Sequence, residues 1–330
     1  MTDHREAAGS GVAGAGVAAA GVERADGEGA LPVLAVDLTP EQARAALAAV
    51  LHEGLDPESC PARSGVPVPA GELLLMPAAA GGYAGVKIAG VAPDNPARGL
   101  PRITGSYLLL DGATLLPLAL LDGAALTALR TLAVTALALD LLAAPQAEHL
   151  VLFGAGPQAF GHLEALGAVR PLRRVTVVAR RAAAAAALVD HARALGLDAV
   201  AGGPQAVATA DLVVCCTTSA EPLFDGALVP DHAAVAAIGS HAPDGRETDE
   251  HLVRRAACFV EARTVARREA GDLLLALSPH ASGQWTNLAE LVAGGAAVPM
   301  DRPRFFKSVG MAWQDLAVAA ELHRRYLAAR

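Results

Sequence analysis

The sequence predicts an α/β fold in which a parallel sheet flanked by helices joins a smaller α+β domain. Three observations predict it. From residue 149 onward, short apolar runs alternate with helical patterns, the mark of strand–helix–strand units and a parallel sheet. From 60 to 121 the pattern switches to closely spaced short strands, the mark of an antiparallel sheet. The length, 330 residues, suits two domains better than one. The composition is 53% hydrophobic, ample for buried cores, but much of that is Ala, so helix propensity is high and aromatic packing scarce.

Residues 1–30 are Gly/Ala-rich with scattered charges and read as a flexible extension. A strand follows at 31–36. Thr39, Pro40 and Gln42 form a helix start, with Thr as N-cap, Pro in the first turn and Gln at the capping-box position; the helix continues over 43–51. Strands are expected at 65–69, 72–76, 83–89 and 103–110, and at 115–120 after the Asp111-Gly112 turn. Arg63 precedes the first of these. Lys87 interrupts an otherwise apolar strand, where burial is costly without a partner. An edge-strand lysine facing water fits the pattern equally well. Residues 123–143 form an apolar helix interrupted by Arg130, which either snorkels out or faces an anion at the domain junction.

Residues 149–181 carry the strongest motif. The apolar strand 150–153 runs into Gly154-Ala155-Gly156-Pro157-Gln158-Ala159, a G-x-G-x-x-A pattern that opens a helix. Gly154 takes the tight turn, Gly156 lets a pyrophosphate approach the backbone, and Ala159 lets the helix sit close on the strand. Pro157 and Gln158 lie in the first turn, where free N–H groups and the helix dipole favour phosphate. A chain with 33 glycines makes such patterns by chance, but the strand–turn–helix context favours a Rossmann dinucleotide-binding domain. The second strand, 174–179, ends in Arg180 and Arg181 where an NAD-specific fold carries an acid. Two guanidinium groups suit a 2′-phosphate, which favours NADP(H) over NAD(H); the alternative is the start of a solvated helix.

The alternation continues with a helix at 182–195 and a weak strand at 198–201. The strand 212–216 ends in Thr217, Thr218 and Ser219, and the strand 234–238 in Gly239, Ser240 and His241. Ligands of open parallel sheets bind at these carboxyl ends, so these residues are candidates for the nicotinamide end of a cleft; turn caps and an ordinary loop histidine are the plainer readings. Helices follow at 249–256, 262–276 and 286–293, with strands at 258–261 and 304–307. Ser308 is expected to cap the final helix, 310–329, which should cross back onto the first domain.

The net charge of −8 gives no footprint for nucleic acid. The four cysteines lack zinc-type spacing, so no metal site is expected, and they suggest no disulfide framework, which fits a reduced cytoplasm. Residues 11–21 do not read as a signal peptide, and Asp122, Arg130 and Asp140 break the apolar region 114–144, so it is not a membrane span.

With these motifs laid out, the sequence resembles the ornithine cyclodeaminase/mu-crystallin family from about Arg63 to the final helix. The matching stretches are RSGVPVPAGELLLMPA, DNPARGLPRITGSYLLLDGATLLPLALLDGAALTALRT, LVLFGAGPQA, TTSAEPLF, IGSHAPDGRETD and FFKSVGMAWQDLAVAA. The resemblance implies a homodimer, with residues 31–125 and 311–330 as the substrate-binding and dimerisation domain and 126–310 as the Rossmann domain. It implies that Arg63, Lys87 and Arg130 hold a substrate carboxylate and that Lys87 handles a proton. Cyclodeaminases carry an Asp after the Gly239 strand where this chain has His241, and imine-reducing members often lack that Asp. The expectation is therefore NADPH-dependent reduction of a C=N bond beside a carboxylate, as in a cyclic ketimine acid, with Lys87, His241 or water as proton donor. The alternatives are a cyclodeaminase using recycled NAD, a reductase of larger amines, and a non-catalytic NADPH-dependent binder of a small ligand.

Overall fold

The computed structural model describes residues 22–23, 30–277 and 285–330. The expected extension, 1–30, lies almost wholly outside them. β1 (Val22–Glu23) and β2 (Ala30–Leu31) pair antiparallel. The predicted strand 31–36 is broken into β2 and β3 (Val33–Leu34), because Pro32 between them has no N–H to continue a ladder. The helix α1 (Pro40–His52) starts as read: Thr39 Oγ1 accepts from the Gln42 N–H, and Gln42 Oε1 from the Thr39 N–H.

β4 (Ser64–Val68), β5 (Gly71–Ala80), β6 (Tyr83–Val91), β7 (Ile103–Asp111) and β8 (Pro117–Asp122) join β3 in a six-stranded sheet ordered β3-β8-β7-β6-β5-β4. β5 runs four residues past the expected end, through Pro77. Beyond Leu75 it has no β4 partner, so the missing N–H costs no ladder bond. Gly81 and Gly82, both at positive φ, turn β5 back into β6. α2 (Gly123–Leu142) then packs on α1 and β7 on one side and on the second sheet on the other. It alone among the described helices is long and apolar enough to cross a bilayer, but most of it is buried inside the protein as a core helix.

The second sheet is wholly parallel. It comprises β9 (His149–Phe153), β10 (Arg174–Val178), β11 (Asp198–Ala201), β12 (Leu212–Cys215), β13 (Ala234–Ala237), β14 (Ala257–Val260), β15 (Thr286–Asn287) and β16 (Arg304–Lys307). The order β11-β10-β9-β12-β13-β16-β14-β15 reverses direction between β9 and β12, the switch point where such sheets bind ligands. The interleaved helices are α3 (Pro157–Gly167), α4 (Ala182–Ala194), α5 (Glu250–Arg255), α6 (Arg263–Glu269), α7 (Gly271–Leu274) and α8 (Leu288–Val292).

The single helix expected at 262–276 is two pieces broken at Ala270. There Gly271 presses against the loop after β13, and a Cβ on it would collide with the Gly245 and Ala242 carbonyls. The expected cap Ser308 is also corrected. The final helix, α9 (Ala312–Ala328), starts two residues later than expected, after Gly310 at φ +78°, and Ser308 Oγ donates to Glu261 instead. α9 does cross back, packing on α1, β5 and β6.

Gly154 has φ +105°, and a Cβ there would lie 2.7 Å from the Cys216 carbonyl oxygen. Gly154→Ala should therefore cost about 1–3 kcal/mol and spread the β9 and β12 ends. Denaturant unfolding and dinucleotide fluorescence titration should show lower stability together with weaker nucleotide binding.

Candidate active site

The site is built around one carboxylate. Asp315, in the first turn of α9, has a fully buried side chain. Its Oδ2 lies 2.8 Å from Lys87 Nζ, which also donates to Thr127 Oγ1 at 2.9 Å. Its Oδ1 lies 3.5 Å from Arg130 Nε, and Arg130 donates to Gln314 Oε1 at 3.0 Å. Lys87 sits on β6 between β5 and β7, opposite Met76 and Tyr107, and points inward at 3% exposure. The edge-lysine alternative is thereby removed, since β6 is an interior strand. Arg130 is buried too and does not snorkel out. Burial lowers the Lys87 pKa to about 8; the Asp315 charge opposes that, and Arg130 and Arg63 add to it.

Arg63 reaches the same place from the start of β4. It donates to the Val309 and Gly310 carbonyls at 2.8 and 2.6 Å and pairs with Glu269 at 2.9 Å. A Cβ on Gly310 would lie 2.8 Å from both terminal nitrogens of Arg130, so the two arginines meet at this glycine. Behind them Glu261, at the end of β14, accepts from Ser308 Oγ, the Val309 and Gly310 N–H groups and Gln314 Nε2. That carboxylate fixes the backbone that Arg63 binds and the amide that Arg130 binds. The Tyr107 hydroxyl is buried without a hydrogen-bond partner among the described residues, and burial and Asp315 raise its pKa. A small cavity beside Arg63 is lined by Met76, Val265, Arg268 and Met311.

The glycine turn lies on the same sheet edge. Gly156 is the N-cap of α3, and nothing lies within 4 Å of where its Cβ would stand, an open cradle that fits a pyrophosphate. Ala159 is fully buried against the strand. Pro157 is exposed, while the Gln158 side-chain oxygen is buried and its carbonyl accepts from His162. Arg180 and Arg181 are exposed after β10, and their side chains form no ion pair or hydrogen bond with the described residues. The Thr217 hydroxyl is engaged by Glu247, that of Ser219 by the Glu221 carbonyl and that of Ser240 by the Gly245 carbonyl, so these three shape the loops; Thr218 is exposed and unpaired among the described residues. His241 is exposed on the loop after β13, and its pKa is lowered by partial burial and by the Arg63 charge, which keeps it neutral at pH 7.

Sequence reasoning assigned no role to Asp315, Gln314, Glu261, Glu269 or Glu247. One signal was available: Gln314-Asp315, a polar pair opening an otherwise apolar helix face. Among the described residues no cluster of His, Cys, Asp or Glu could hold a metal ion.

A parallel sheet with a glycine-turn cradle at its carboxyl edge defines a Rossmann-type dinucleotide-binding fold, and three cations from neighbouring elements meet beside it. The chain belongs to the ornithine cyclodeaminase/mu-crystallin family, which it matches over residues 39–329. It is 38% identical over 276 residues to a Delta(1)-pyrroline-2-carboxylate/Delta(1)-piperideine-2-carboxylate reductase of Azospirillum brasilense, covering 82% of this chain and 86% of that protein. It is 33% identical over 223 residues to the ketimine reductase mu-crystallin of Mus musculus, covering 68% of this chain and 69% of the relative. Among solved structures, it resembles Thermococcus litoralis Delta(1)-pyrroline-2-carboxylate reductase in complex with NADH and L-proline. That match has a TM-score of 0.82 and 26% identity, covering 91% of this chain and 98% of the other.

Asp315→Asn should leave Lys87 and Arg130 without their shared anion, destabilising the fold by about 3–5 kcal/mol. Because Asp315 raises the Lys87 pKa, its removal should carry that pKa further below 8. Denaturant unfolding and NMR titration of labelled lysine would measure the two effects.

Proposed function

We propose that the chain is an NADPH-dependent reductase of a carbon–nitrogen double bond beside a carboxylate, acting on cyclic ketimine acids such as Delta(1)-pyrroline- or Delta(1)-piperideine-2-carboxylate. The observation that carries this reading is the meeting of Arg63, Lys87 and Arg130 on the sheet edge that holds the glycine turn. From β9 across β12 and β13 to β16 is three strand spacings, about 14 Å. A dinucleotide seated on α3 can lie along that edge. The relatives named for reduction of such imines support the substrate class.

Bound nicotinamide would supply hydride to the imine carbon. Arg63 and Arg130 would take the substrate carboxylate, their forked guanidinium groups matching its geometry. Lys87, with a pKa of about 8, would hold a transferable proton at neutral pH and give it to the nitrogen as the carbon–nitrogen double bond becomes single. Asp315 and Thr127 would hold the lysine in place in either protonation state. Met76, Met311 and Val265 would form an apolar wall for the ring. Arg180 and Arg181 would bind the 2′-phosphate and set the preference for NADPH.

We also propose a homodimer. The outer face of the first sheet presents Val66, Leu73, Leu75, Val86, Ile88 and Leu108 to solvent, and a second copy of the chain would cover them. Four free cysteines suit a reducing compartment such as the cytoplasm.

One observation favours a second reading. Neutral His241 could serve as the base of an ammonia-releasing cyclodeaminase, which an ammonia assay on ornithine and lysine would expose.

NADPH oxidation should be rapid with the two cyclic imine acids and absent with analogues lacking the carboxylate. Turnover should fall as pH rises through about 8, as Lys87 loses its proton. Lys87→Met should abolish turnover and leave NADPH affinity nearly unchanged; surviving turnover would refute the role of Lys87. Replacing Arg180 and Arg181 together by Ala should weaken NADPH roughly tenfold or more and NADH little.

A further inference from the structure

Glu247 is a buried carboxylate with no place in the chemistry above, yet it ties the cofactor edge together. Its Oε1 accepts from the Thr217 N–H at 2.8 Å and the Thr217 hydroxyl at 2.7 Å, just after β12. Its Oε2 accepts from the Gly239 N–H at 2.7 Å, just after β13. The two loops are drawn so close that a Cβ on Gly239 would collide with the Thr217 carbonyl. Glu247 is itself held from behind: Asp272 accepts from the Glu247 and Thr248 N–H groups and the Thr248 hydroxyl, and pairs with Lys307 at 2.7 Å.

We infer that Glu247 is a positioning residue for the dinucleotide: its carboxylate clamps the loops after β12 and β13 into the surface that the nicotinamide end lies against. This rests on the reading that the sheet edge binds a pyridine dinucleotide.

The groups facing Glu247 are Lys307 from β16, Asp272 from α7, and the Cys215 and Cys216 thiols at the end of β12. Lys307 is shared with Asp272, its ion-pair partner, and burial holds both thiols neutral. Burial pushes Glu247 up to about 7, against the Lys307 charge and the three hydrogen bonds. A protonated carboxyl keeps fewer acceptor sites than the carboxylate, so one loop loses its tie. The clamp therefore weakens as pH falls through 7.

The test is fluorescence titration of the full chain with NADH. NADPH is avoided in the pH series because a 2′-phosphate itself titrates near pH 6. If binding needs the ionised clamp, wild-type affinity should be about tenfold weaker at pH 6 than at pH 8. Glu247→Gln should bind NADH roughly tenfold more weakly at pH 8 and show no such pH dependence. Thr217→Val removes one donor and keeps the carboxylate, so it should bind somewhat more weakly and retain the wild-type pH slope. If Glu247→Gln does not fold, the wild-type pH series and Thr217→Val decide. Wild-type affinity that is flat over this range overturns the inference. So does a Glu247→Gln variant that keeps wild-type affinity or the pH slope. No imine is present, so failure here is distinct from failure to reduce imine acids.

Discussion

Asp315 is the constraint on which the rest of the site depends. One carboxylate with no access to water holds a lysine from a strand of the first sheet and an arginine from the long core helix. Burying those cations separately would be prohibitively unfavourable, and a shared anion makes it tolerable. The same contact decides how α9 docks, because the helix has to arrive with its first turn over β6 and α2. The cation cluster and the docking of α9 on the first sheet thus share one contact.

Two more buried carboxylates organise the facing edge. Glu261 gathers the Ser308–Gly310 backbone and Gln314; Glu247 gathers the ends of β12 and β13. Each converts loose N–H groups at strand termini into a fixed surface, the work that hydrogen bonds to charged acceptors do best. The helix break at Ala270 follows from this, since it lets Gly271 and Asp272 pack under the Glu247 loop. The glycines at 154 and 239 lie where two backbone segments approach too closely for a side chain, and Gly310 lies against the Arg130 guanidinium. Backbone, rather than hydroxyl side chains, therefore forms much of the cofactor edge.

Much of this was legible in the sequence where the signal is local. The glycine turn, the αβ alternation and the Thr39 cap all follow from residues adjacent in the chain. Lys87 was ambiguous because its pattern gives the period of a strand and not its neighbours; only the pairing with β5 and β7 makes it interior. Asp315 was hidden because its partner is 228 residues away. The break at Ala270 and the displacement of Ser308 from its expected cap have the same origin. Local propensity favours a continuous helix and a serine cap, and contacts with distant loops override both.

In the proposed function, three cations from different elements form one binding site for a carboxylate. A crystal structure of the protein with NADP+ and L-proline, the saturated counterpart of a five-membered ketimine acid, tests it most directly. The proline carboxylate should lie within hydrogen-bond distance of Arg63, Lys87 and Arg130, with the ring carbon beside it facing the nicotinamide. A carboxylate bound elsewhere, with the three side chains still occupied by their present partners, would contradict it.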